Sequence, residues 1–230
     1  MFEWLLGESD AGNRGLQRMR TEFGQMLDAG RQVFCTAANA LVGGTEPEVI
    51  REEVFATDKL INRSERQIRR ELVIHASVHG TADISPCLML MSIVKDAERV
   101  GDNAKNLFDL AVMAPRVPAG ENRDTLVQLK DRIGNLMVDC RKAFDARETE
   151  DAKRLIVEAR EIEDVCDARI EAIVQAAQGD VMAPVYVLAY RYMKRIAAHM
   201  RNVASSVVQP LHKLDFTSKI TADDEQSGGG

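Results

Sequence analysis

IVKDAERVGDNAKNLFDLA, residues 93–111, is the stretch from which the rest of the chain can be read. It is a helical sequence with no Pro, and Glu98 and Asp102 stand four residues apart in it, with Gly101 between them on the packing side. Side chains at i and i+4 lie about 5–6 Å from each other on one helix face. The pair therefore presents four carboxylate oxygens to one point.

Outward from this segment the chain divides at Gly43-Gly44 with Pro47, at residues 79–86, at 114–120, near Arg147–Glu150, and at 179–184. Six segments with helical periodicity lie between these breaks. The first carries Leu16, Met19, Phe23, Met26, Gly30, Val33, Ala37 and Ala40 at i, i+3/i+4 spacing, and the fourth carries Leu126, Leu129, Ile133, Leu136, Cys140 and Phe144. Pro47, Pro86 and Pro184 fall near helix starts, where a missing N–H costs little. Several segments approach 30 residues, roughly 45 Å of helix. Helices of that length with short connections pack antiparallel. The expected fold is all-α: two tandem three-helix bundles made of six long antiparallel helices.

The second helix breaks its own apolar pattern. Its inward stripe runs Val54, Asp58, Ile61, Glu65, Ile68, Leu72, with Asn62 one turn beyond Asp58. The fifth repeats the pattern through Ile156, Ala159, Glu163, Cys166 and Ile170, with Asp167 one turn after Glu163. An ionised carboxylate in a dry seam loses several kcal/mol of solvation unless it is compensated. For one such acid, pairing with a nearby base such as Arg66, Arg69, Lys95 or Arg99 is the commoner arrangement. Asp58, Asn62, Glu65, Glu98 and Asp102 together, on adjacent helices, also make an oxygen-rich set suited to a hard cation. Oxygen ligation favours Mg, Ca, Mn or iron over copper without choosing among them.

Composition narrows the alternatives. The 230 residues are 45% hydrophobic and 29% charged with a formal net charge of −6, which disfavours a nucleic-acid binder. Cys35, Cys87, Cys140 and Cys166 are far apart within apolar patterns, so reduced, mostly buried thiols in a reducing cytosol are expected. The opening MFEWLLGES is too short for a signal peptide or a span, and the expected location is cytoplasmic. His75 and His79, at the end of the second helix, lack the Glu that follows the first His in zinc proteases and read as surface histidines. None of the four histidines has a Glu three residues before it, which excludes the di-iron carboxylate pattern. There is no P-loop, no dinucleotide fingerprint and no nucleophile elbow. Met89, Met91, Met113, Met193 and Met200 read as core filler.

The 93–111 stretch, with its E-R-V-G-D core, resembles the signature helix of the PhoU family, and TDKLINRSERQI (57–68) resembles that family's companion D-x-x-x-D/N helix. The resemblance spans about residues 15–212. It implies a first repeat (11–116) and a second repeat (117–216); outside them lie the apolar N-terminal segment (1–10) and an acidic tail (217–230) that has no apolar face and is expected to be disordered. An internal repeat supports it: Asp58 and Asn62 fall on Glu163 and Asp167, and residues 97–106 fall on 193–202. The last helix departs from the motif, carrying Lys194 and Ala198 where the family has acids.

The resemblance implies a regulator of phosphate uptake and phosphate-responsive signalling. Its partners would be phosphate transporter components or a sensor histidine kinase, with membrane association only through them. It also implies binding rather than catalysis, a homodimer, and a bound metal, iron or zinc, held by Asp58, Asn62, Glu98 and Asp102, to which the oxygen-rich set read above adds Glu65 and the option of Mg or Mn. Glu163 and Asp167 receive that role only weakly. A metal-handling bundle, a salt-bridged adaptor without metal, and an accessory subunit of a low-affinity phosphate transporter are the competing readings.

Overall fold

The computed structural model describes residues 10–114, 116–176 and 179–214. The N-terminal segment and the acidic tail anticipated above lie largely or wholly outside the described residues. The chain forms six long helices: α1 (Asp10–Ala38), α2 (Pro47–His79), α3 (Ile84–Met113), α4 (Glu121–Ala146), α5 (Thr149–Ala176) and α6 (Ala183–Val208). No strand occurs among the described residues. The α1 helix widens into a π turn at Asn39–Gly43 and stops at Gly44, whose φ of 87° is a left-handed value that suits glycine. Pro47 and Pro184 stand in the first turns of α2 and α6, as their missing N–H groups allow.

Helices α1–α3 pack on one another, and α6 packs on both α4 and α5. The two groups meet where α3 lies against α6 and α1 against α4, and a single apolar core runs through both. Phe23 of α1, fully buried, meets Phe144 of α4 edge-on at 4.9 Å between ring centroids. The Arg20 guanidinium sits 4.5 Å above the Phe144 ring while donating to the Phe144 carbonyl at 2.9 Å. Tyr190, also fully buried, satisfies its hydroxyl on Asn122. Cys87, Cys140 and Cys166 are buried free thiols, and Cys35 is partly buried. Gly101 explains how α2 and α3 come close enough to share side-chain chemistry: a Cβ there would stand 3.0 Å from Ile61 Cδ1.

Two expectations change. Met113 is 74% exposed at the end of α3, beyond the packed part of the helix, whereas Met89, Met193 and Met200 are in the core. His75 is not a surface histidine. It is buried, because its position one turn beyond Leu72 continues the α2 core stripe, and its Nε2 pairs with Oδ2 of buried Asp83 at 2.9 Å. Asp83 closes the 3-10 turn Gly80–Asp83, and its second oxygen is buried with no hydrogen-bond partner. His79 stacks on His75 at 4.3 Å.

Removing one member of such a pair leaves the other uncompensated in a dry site. His75→Ala should cost about 3 kcal/mol, read as a lower urea midpoint. Lys142→Ala, which breaks a surface pair with Asp139, should move the midpoint little.

Candidate functional site

The acid-bearing faces of α2 and α3 meet across the Ile61–Gly101 contact. Val54, Ile61, Ile68 and Leu72 are buried, as the stripe requires, while Asp58, Asn62 and Glu65 are half-buried along its edge. On α3, Glu98 and Asp102 are also half-buried. The Asp58 carboxyl is held above the usual carboxylate range, first by burial and then by the charges of Asp102 and Asp109, against the pull of Lys105. Glu98 is likewise raised by burial and then by Asp102, with Glu65 adding to it. Asp102 is thus the acid through which the two helices' negative charges interact.

Cations of the same helices answer part of this charge. Arg99 donates to Asp102 at 2.9 Å and lies 3.4 Å from Glu98. Arg69 donates to Glu65 at 2.9 Å, and Lys105 to Asp109 at 2.9 Å. Asn62 donates its amide to the Asp58 carbonyl, which turns that end of the side chain to its own helix. Lys105 and Asp109 extend the site beyond the residues chosen from the sequence. The signal for Asp109 is its place one heptad after Asp102, on the same helix face.

The donor chemistry, carboxylate oxygens with raised affinity for protons, is that of a site short of positive charge, and it suits a hard cation. Among the described residues, however, no three His, Cys, Asp or Glu side chains are grouped to hold an ion as they stand. Arg99 takes the place beside Glu98 and Asp102 that an ion would need.

The second unit answers its charge differently. Lys194 donates to both oxygens of Asp167, at 2.7 and 2.5 Å, and Arg201 donates from Nε to Glu163 at 2.7 Å. The repeat register puts Lys194 on Glu98 and Arg201 on Lys105. In the sequence, Lys194 stands out as the cation for this face because the internal repeat sets it where the first unit has Glu98. The structure divides the task, because Arg201 projects one turn from Ala198 and its planar fork matches the half-buried Glu163.

The raised carboxyls of Asp58 and Glu98 set a sign. Each binds its proton more tightly folded than unfolded, so each opposes folding at neutral pH, and the penalty is relieved as pH falls through the raised value. The Asp58→Asn, Glu98→Gln double variant should melt higher than the parent at pH 7. That gain should fade as the pH approaches about 4. An equal gain at both pH values in calorimetry would contradict this account.

Known proteins share both the motif helices and the architecture. Residues 23–111, from Phe23 in α1 to Ala111 in α3, match the PhoU domain family. The fold is similar to the crystal structure of PhoU from Pseudomonas aeruginosa, with a TM-score of 0.75 and 20% identity over 85% of this chain and 96% of that one. It is also similar to the crystal structure of the phosphate transport system regulatory protein PhoU from Streptococcus pneumoniae, with a TM-score of 0.72 and 18% identity over 91% and 99% of the two chains. No curated protein sequence matches. The acid-bearing helices α2 and α3 lie almost wholly inside the stretch that matches the PhoU domain family, and the fold of the chain is similar to that of the two crystal structures.

Proposed function

We propose that this chain is a PhoU-type regulator of phosphate transport and phosphate-responsive signalling, acting by binding rather than catalysis. The observation that carries this reading is the PhoU domain match over the helices that hold Asp58, Glu98 and Asp102. The partners in this reading are components of a phosphate transporter, a sensor histidine kinase, or both. The protein would work as a homodimer in the cytoplasm and reach the membrane through them.

Two features of the molecule support a binding role. No described helix is long and apolar enough to cross a membrane. Val49, Leu60, Ile74 and Val78 recur in helical register on α2, away from the buried stripe, and are 80%, 52%, 52% and 72% exposed. Apolar residues aligned on a solvent face suit contact with another protein.

Metal binding belongs to the same reading. Asp58, Glu98 and Asp102 would hold a divalent or trivalent ion, with Glu65 and the Asn62 side-chain oxygen at its edge. An ion there would supply the positive charge that the raised carboxyls lack. This requires Arg99 to leave Glu98 and Asp102, a movement open to a side chain that is 45% exposed. In the second unit Lys194 and Arg201 already neutralise Asp167 and Glu163, so that unit is the weaker metal site.

The test is made in cells and on purified protein. Loss of this chain should leave phosphate uptake and a phosphate-starvation reporter active in phosphate-rich medium, and unchanged regulation would refute the regulator reading. Elemental analysis of protein purified without chelator should find bound metal that the Glu98→Ala, Asp102→Ala variant loses while staying helical by circular dichroism. Full metal content in that variant would exclude this site.

A further inference from the structure

A second polar cluster lies at the seam between the two units, where α3 turns from solvent toward α6. Asp96 faces α6 at a buried position, between the core residues Ile93 and Val100. Its Oδ1 accepts from His199 Nδ1 at 2.8 Å and from the Asn202 amide at 2.9 Å. A carboxylate can only accept, so His199 carries its proton on Nδ1 and keeps Nε2 for another partner. These groups line a cavity of about 290 Å³ with Ser92, Lys95, Arg99 and Arg195.

Charge at this cavity is one-sided. Lys95 on α3 and Arg195 on α6 have no ion-pair partner among the described residues, and Asp96 is already committed to two donors. Arg99 adds a third cation, shared with Glu98 and Asp102. The repeat register sets Arg99 on Arg195 and Asn103 on His199, so two of the cations come from equivalent positions of the two units. Like charges gathered at one opening cost free energy unless an anion joins them.

We propose that this cavity, at the α3–α6 seam, binds a tetrahedral oxyanion, either inorganic phosphate or the phosphoryl group of a phosphomonoester. Lys95 and Arg195 supply charge from the two sides, Arg195 with a fork that matches two phosphate oxygens. Ser92 and Asn202 line the site as neutral polar groups. His199 also lines the site, its ring oriented by the Nδ1 contact with Asp96. Lys95, Arg99, Arg195, His199 and Asp96 are the charged and titratable groups that line the site from α3 and α6. This proposal stands on the seam geometry and is independent of the regulator reading above.

The experiment follows the His199 ring signals by NMR while the full chain is titrated with inorganic phosphate to about 10 mM, a range that detects millimolar affinity. Saturable shifts are expected, weakened at least tenfold in the Lys95→Ala, Arg195→Ala variant. Its two changes are at exposed positions and should leave the circular dichroism spectrum unchanged. Lys59→Ala, at an exposed position of α2, should bind as the parent does. A parallel titration with phenyl phosphate separates the two sources: tighter binding of phosphate assigns the free anion, and tighter binding of phenyl phosphate assigns a phosphorylated group. No saturable shift with either, or equal shifts with sodium chloride, overturns the proposal.

Discussion

The structure depends on how completely α3 is enclosed. It packs against α1, α2 and α6, so most of its circumference must be apolar or small. Ala97, Val100, Gly101, Ala104, Leu107 and Phe108 are all buried, and Gly101 lets α2 approach to the distance at which Ile61 fills the gap. Only a narrow strip is left for charged side chains. Glu98, Asp102 and Asp109 stand on its α2 side and Asp96 on its α6 side, with Lys95 and Arg99 between them. An acidic site and a basic cavity are thereby set side by side, and Arg99 belongs to both.

Much of this was legible in the sequence. Helix limits follow from Gly43-Gly44 and from prolines at helix starts, because these residues act on the backbone locally. The acids of α2 and α3 were legible because they interrupt a periodic apolar stripe, and periodicity fixes their side of the helix. What the pattern does not contain is the choice of counter-charge. Arg99 can reach Glu98 and Asp102, and Arg201 reaches Glu163, through rotamers that sequence spacing leaves open.

The buried polar pairs were less legible still. His75 and Asp96 each occupy core positions of their helices, where the period calls for an apolar residue. Their burial is tolerable because Asp83 and the His199–Asn202 pair meet them. Asp83 comes from a turn and has no period, while His199 and Asn202 come from a helix of the other unit. Only the packed fold brings these partners together.

The buried cysteines give the fold a further property. Burial raises the Cys87 thiol to about 11 and the Cys166 thiol to about 12, and it pushes fully buried Cys140 higher still. The thiolate is the reactive form, so these sulfurs are nearly inert while the helices stay closed. Cys35, only partly buried and less strongly raised by its surroundings than Cys140, is the most accessible of the four. Alkylation at Cys140 and Cys166 therefore counts openings of the second unit, and alkylation at Cys87 counts openings beside the His75–Asp83 pair. The molecule carries its own clock for local unfolding, with hands in both halves of the chain.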